Sequence, residues 1–271
     1  MAKTSSTQRT LTMQALYEPQ GKAREYAPLA VNLYRGCTHG CVYCYAPACL
    51  HVPPGEFRAA GVPRPGILDA LEKDIRRLGA RPGAGPVLLC FSCDPYQPAE
   101  EIYGDTRAAL GILGSAGIPI RVLTKNPALA LRLDLDRLME YAVDFGVSCV
   151  FYSDSRRREF EPGASPIPER LAALRAAKAA GLSTWISLEP VILPGEALAV
   201  IRETAEYTDL YRIGPLNHRK LPAPADWPAF LGAALELLTD LGARYYIKDD
   251  LWRHAVPALK CRFKKSTERS T

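Results

Sequence analysis

Asn32-Leu-Tyr-Arg-Gly-Cys37-Thr-His-Gly-Cys41-Val-Tyr-Cys44-Tyr-Ala-Pro47 sets three cysteines in the spacing C-x3-C-x2-C. The stretch begins inside an apolar, β-rich run, residues 30–35, so the cysteines fall in the loop that leaves a strand. Three thiolates in one short loop can bind three irons of a [4Fe–4S] cube and leave the fourth iron open to a small molecule. Gly36 and Gly40 allow such a loop to wrap tightly. Zinc is the competing reading. A structural zinc wants four ligands, usually in two C-x2-C-like pairs. Cys49, His39 or His51 could supply a fourth, but no second pair follows.

Outward from this loop, short apolar runs alternate with helical patterns. Strands are expected at residues 30–35, 87–92, 118–124, 144–151, 183–188, 210–213 and 244–247. Most are continuously apolar, as strands buried on both faces are. Helical periodicity marks residues 67–78, 98–113, 134–141, 168–180, 196–207 and 227–241, with Gly181 placed to end the fourth of these. Such a succession predicts an α/β fold with a parallel sheet and right-handed crossovers, either doubly wound or a partial (β/α) barrel. In both, ligands collect at the carboxyl ends of the strands. The residues there are Cys37, Cys93, Asp94, Lys125, Ser153, Asp154, Glu189, Asn217 and Lys248.

The chain has 271 residues, 48% of them hydrophobic, and a net charge of +5. That is enough apolar material for a large core. No apolar run approaches the roughly 20 residues that span a bilayer, and residues 1–14 lack a signal peptide's apolar middle. A cytoplasmic protein without membrane contact is expected. Eight cysteines in a reducing compartment are not a disulfide framework, and their clustering points to a metal. Basic residues gather at Arg156-Arg157-Arg158 and in residues 260–269, either as phosphate-attracting patches or as solvated surface.

C-x3-C-x-aromatic-C after the first strand of a repeated β/α chain resembles the radical S-adenosylmethionine (SAM) superfamily. The stretches NLYRGCTHGCVYCYA, SCDPYQPAE after the second strand and LTKN after the third resemble its spore photoproduct lyase-like, DNA repair photolyase-related branch. The match runs from about Val31 to Leu193. SLEP and YYIKDDL look closer to phage-type radical SAM proteins of unassigned function.

The resemblance implies a partial (β/α)6 TIM-like barrel, expected over residues 29–255; composition marks 1–28 as a polar leader and 256–271 as a basic tail. It implies a [4Fe–4S] cluster on Cys37, Cys41 and Cys44. SAM would chelate the open iron and be cleaved to a 5′-deoxyadenosyl radical that abstracts hydrogen from substrate. It also implies an electron donor such as flavodoxin or ferredoxin, and a nucleic-acid component as a substrate class. Tyr43 fills the slot that leans on adenine. Asp94 stands where polar groups receive the SAM amino group, Lys125 matches a lysine that meets the SAM carboxylate, and Ser148 matches a serine contacting SAM. A Gly-Gly-Glu motif common in the superfamily is absent after the second strand, where Ser92-Cys93-Asp94 stands. Cys93 is the candidate hydrogen donor to a product radical, a catalytic role. Cys90 is expected to face the core.

Glu189, Asn217, His218 and Lys248 are weaker candidates for reading substrate. Tyr96 and Tyr103 could carry a radical or stack a base, or simply pack; Trp227 and Trp252 are expected to pack. Two other function classes compete with the enzyme. One is a zinc- or iron–sulfur-stabilised nucleic-acid-binding module without catalysis. The other is an electron carrier, which would ordinarily supply four cysteines per cluster.

Overall fold

The computed structural model describes residues 14–59, 61–78, 85–216 and 225–266. Its strands are β1 (Leu29–Val31), β2 (Tyr34–Arg35), β3 (Val62–Pro63), β4 (Val87–Leu89), β5 (Ile120–Thr124), β6 (Asp144–Ser148), β7 (Ser183–Val191), β8 (Leu210–Pro215) and β9 (Tyr245–Ile247). Seven of them form one parallel sheet in the order β1-β4-β5-β6-β7-β8-β9. Each strand lies beside its predecessor in the chain. Repeated right-handed crossovers of that kind put the helices on one side and curl the sheet toward a barrel. The sheet stays open, with β1 and β9 as its edges, and it carries one strand more than a six-unit barrel. Isolated antiparallel bridges, Tyr17 to Ala30 and Tyr246 to Ser266, cover those edges.

The alternation of side chains divides the sheet into two faces. Val31, Leu89, Val122, Val147, Ile186 and Ile213 pack into the large core with Leu71, Leu110, Leu138 and Leu174 from the surrounding helices. On the other face Ala30, Leu88, Trp185 and Leu210 form a second cluster with Tyr26 and Ala27. Trp185 plugs the interior of the open barrel. A Cβ on Gly146 would meet its ring at 2.1 Å, so only glycine leaves room for the indole. The guanidinium groups of Arg121 and Arg212 each lie 5.8 Å from the same ring.

Residues 14–28, assigned on composition to a polar leader, contribute directly to this packing. Ala15, Leu16 and Tyr26 are buried, and Tyr17 exchanges backbone hydrogen bonds of 3.0 and 2.9 Å with Ala30. A few apolar residues spaced through a polar stretch make these contacts, and composition averages them away.

Local departures from the expected elements have local causes. The run 30–35 divides at Asn32, whose Oδ1 accepts the N–H groups of Phe91 and Ser92 at 2.8 and 2.9 Å; β2 then turns to pair with β3. The helix expected at 98–113 breaks at Gly104 (φ 66°) into Glu100–Tyr103 and Asp105–Ser115. The helix expected from 134 begins at Pro127, a favoured first-turn residue. Helix Ile167–Ala179 is followed by Gly181 at φ 98°. Among the described residues no helix is long and apolar enough to cross a membrane.

Candidate functional site

A cavity of about 530 Å³ opens at the carboxyl ends of the parallel strands. Cys37, Cys41, Tyr43 and Cys44 reach it from the loop after β2, Cys93 and Asp94 from the bend after β4, Lys125 from the end of β5, and Ser148 from β6. All the residues singled out for cluster, SAM and hydrogen donation therefore line one space. Glu189 and Lys248 line it from β7 and from just beyond β9. Asn217 and His218 lie outside the described residues.

The cysteine loop is built as its glycines suggest, with Gly36 at φ 73° and Gly40 at φ 65°. Neighbouring segments fix it through backbone hydrogen bonds. Cys37 N–H donates to Phe57 O, Val42 N–H to Phe160 O and Gly163 N–H to His39 O, each at 2.9 Å. A Cβ on Gly163 would stand 2.3 Å from the Thr38 carbonyl oxygen, so this close approach admits only glycine.

Burial pushes the Cys37 thiol up to about 12, and Asp94 adds to the effect; burial likewise raises Cys41 well above the ordinary thiol range. A bound iron would ionise these sulfurs against that burial, because a coordinating thiol loses its proton to the metal's charge. One buried and two half-buried thiols at one cavity wall are the donor set that such a cluster requires.

It fits a single zinc poorly. Among the described residues no three His, Cys, Asp or Glu side chains converge as a mononuclear ion requires. His39 places Nε2 3.2 Å from Asp94 and Nδ1 3.0 Å from the Gly163 carbonyl, while Cys49 and His51 are exposed.

Asp94 is the hub between that loop and β5. Its carboxylate accepts the Thr124 hydroxyl at 2.7 Å, the Lys125 N–H at 2.7 Å and the Tyr96 N–H at 2.9 Å, besides facing His39. Burial alone would raise this acid; His39 and the donated hydrogen bonds outweigh it and hold the carboxyl down at about 2. Both oxygens are thus engaged by the protein.

Beside it lies a buried charge cluster that sequence reading missed. Glu161 is fully buried, ion-paired with Arg170 at 2.7 Å, hydrogen-bonded by the Tyr43 hydroxyl and 4.0 Å from Lys125 Nζ. Arg170 also donates to the carbonyls of Ser148 and Ser165, both at 2.9 Å. Burial opposes ionisation of Glu161, but Arg170 and Lys125 outweigh it and keep its carboxyl below the usual range. Lys125 Nζ stands 5.7 Å from the centre of the Tyr43 ring. No motif or spacing in the sequence marks Glu161 or Arg170. Only their fold-imposed burial reveals them.

Across the cavity, Lys248 Nζ lies 3.0 Å from Glu189, and the Tyr26 hydroxyl bonds both Glu189 and Ser187. Cys90, expected in the core, is buried in the large core cluster and also borders the cavity. Tyr96 packs in the core and bonds Asp134, Tyr103 is half-exposed, and Trp227 and Trp252 pack against the large core. The arginine run is largely neutralised within the chain: Arg156 pairs with Glu159, while Arg157 and Arg158 pair with Asp154.

Comparison with known proteins agrees with this geometry. A family model described as the radical SAM superfamily matches residues 31–208. An uncharacterized protein of Mycobacterium tuberculosis is 35% identical over 171 residues, covering 60% of this chain and 49% of the relative. The chain thus spans about half the length of the curated relatives it matches first. Among solved structures, spore photoproduct lyase complexed with dinucleoside spore photoproduct superposes with a TM-score of 0.64 at 18% identity, covering 85% of this chain and 80% of that one. Streptococcus suis SuiB bound to S-adenosylmethionine gives 0.61 at 12% identity, over 87% of this chain and 53% of that one. Those two likenesses establish the shared fold. The family match spans most of the sheet together with the cysteine loop, and the chain belongs to the radical SAM superfamily.

Proposed function

We propose that this chain is an enzyme that holds a [4Fe–4S] cluster on Cys37, Cys41 and Cys44, binds SAM beside it, and abstracts hydrogen from a substrate. The observation that carries the reading is the meeting of three thiols, the largely buried Lys125 and the buried Asp94 carboxylate around one cavity. A bound cluster would supply the electron that cleaves SAM to methionine and a 5′-deoxyadenosyl radical. The protein's own groups bind and orient. Lys125 and Arg170 against Glu161 leave one positive charge, which the SAM carboxylate would neutralise at the Lys125 ammonium. Tyr43, held by Glu161 through its hydroxyl, offers its ring to the adenine. Ser148 offers a small polar contact in the same wall.

Asp94 acts as much through its neighbours as on SAM. Its bonds to the Lys125 N–H and to His39 fix the lysine and the cysteine loop relative to each other. Cys93, in the cavity wall, would return hydrogen to a product radical. The Glu189–Lys248 pair lies on the opposite wall, where polar groups of a substrate would be read, and Tyr45 and Phe91 supply aromatic surface on which a base could stack. A nucleic-acid component is therefore the first substrate class to search, in keeping with the dinucleoside bound by the spore photoproduct lyase fold. A flavodoxin or ferredoxin would supply the electron.

Lys125→Ala tests the SAM site separately from the cluster. A charged hydrogen bond is worth about 1.5–3 kcal/mol, so SAM affinity should fall roughly 10–100-fold while iron content stays at the wild-type level. Unchanged SAM affinity in an iron-replete variant would remove Lys125 from the site.

A further inference from the structure

The bend after β4 carries two thiols. Cys90 and Cys93 are both buried, both line the cavity, and stand close enough for each thiol to act on the other. The Tyr34 N–H also points at the Cys93 sulfur, and Cys93 lies near enough to Cys37 to act on its thiol. The bend between the two is pinned, because Asn32 Oδ1 accepts the N–H groups of both intervening residues, Phe91 and Ser92. A Cys-x-x-Cys spacing held on one pinned bend keeps the two sulfurs together, as a disulfide between them requires.

We propose that Cys90 and Cys93 form a redox dithiol: Cys93 returns a hydrogen atom to the product radical, and Cys90 captures the sulfur radical left behind as a disulfide. The proposal rests on the radical-enzyme reading above. Cys93 gives up its S–H hydrogen atom, a C–H bond forms on the product, and a thiyl radical remains. That sulfur bonds to Cys90, whose proton leaves to solvent, giving a disulfide radical anion. One electron then passes to a carrier of the iron–sulfur or flavin class, and a neutral disulfide remains. In total one carbon radical gains a hydrogen atom while two thiols become one disulfide, with release of one proton and one electron. A dithiol reductant of the thioredoxin class restores the pair. A lone hydrogen donor would need no such reductant, so the second sulfur changes what the protein must be supplied with.

The test poises the reconstituted chain anaerobically across a series of dithiol–disulfide buffers. Free thiols are alkylated and the peptide holding both residues is weighed. A reversible Cys90–Cys93 disulfide is expected in the wild type. Cys90→Ser should leave Cys93 alkylated in buffers that protect it in the wild type, and Cys93→Ser should do the same for Cys90. The proposal is overturned if both thiols are alkylated singly at every potential, or if Cys93 pairs elsewhere. The triple variant Cys37→Ala, Cys41→Ala, Cys44→Ala gives the same reading without a cluster. Failure of the pair is thereby separable from failure of the enzyme reading, which 5′-deoxyadenosine formation reports.

Discussion

Replacing any one of Cys37, Cys41 and Cys44 with alanine is expected to abolish cluster assembly and SAM cleavage together, a loss of 100-fold or more, while the chain stays folded. A three-thiolate cube has no ligand to spare on the protein side. The fold does not depend on it to the same degree. The loop is tied by backbone hydrogen bonds to Phe57, Phe160 and Gly163, and the seven-stranded sheet is packed on both faces. Iron content and 5′-deoxyadenosine should fall to background with only a small change in melting temperature. Cys49→Ala serves as the internal control: its side chain is exposed, and both readouts should match the wild type. Retention of iron by any of the three single variants would show that a different cysteine, Cys93 being the nearest alternative, completes the site.

The second large effect is on stability. Glu161→Leu leaves Arg170, fully buried, and Lys125, nearly so, without their shared carboxylate. Removing one partner of a buried pair strands the other's charge and typically costs about 3–5 kcal/mol, more than the pair itself is worth. The Tyr43 hydroxyl loses its acceptor at the same time. Urea unfolding of the variant should show a lower midpoint at an unchanged slope. Glu161→Gln keeps hydrogen-bonding capacity and should cost about 1–3 kcal/mol. A Leu variant as stable as the wild type would mean that the two cations find other partners, and the charge count used for the SAM carboxylate would fail with it.

How far the sequence carries depends on the range of the interaction involved. The parallel sheet was legible because continuous apolar runs, separated by helical periodicity, have few other solutions. Seven runs were marked and seven strands pair in chain order. The site was legible where chemistry sits at strand ends, since topology brings those ends together whatever the loops do. For this reason Cys37, Cys93, Asp94, Lys125 and Ser148 all reach one cavity. What escaped was non-local. Glu161 pairs with Arg170 only because the loop after Phe160 packs on the cysteine loop, and no spacing rule announces that. The edge role of Tyr17 and the interior role of Tyr26 were hidden by polar neighbours.

The most direct test of the central claim is anaerobic reconstitution of the wild-type chain with iron and sulfide, followed by reduction and addition of SAM. The account predicts four irons per chain, an electron paramagnetic resonance signal of the reduced cluster that changes when SAM binds, and cluster-dependent 5′-deoxyadenosine. Stoichiometric zinc in place of iron, or a reduced cluster whose spectrum ignores SAM and yields no 5′-deoxyadenosine, would contradict it.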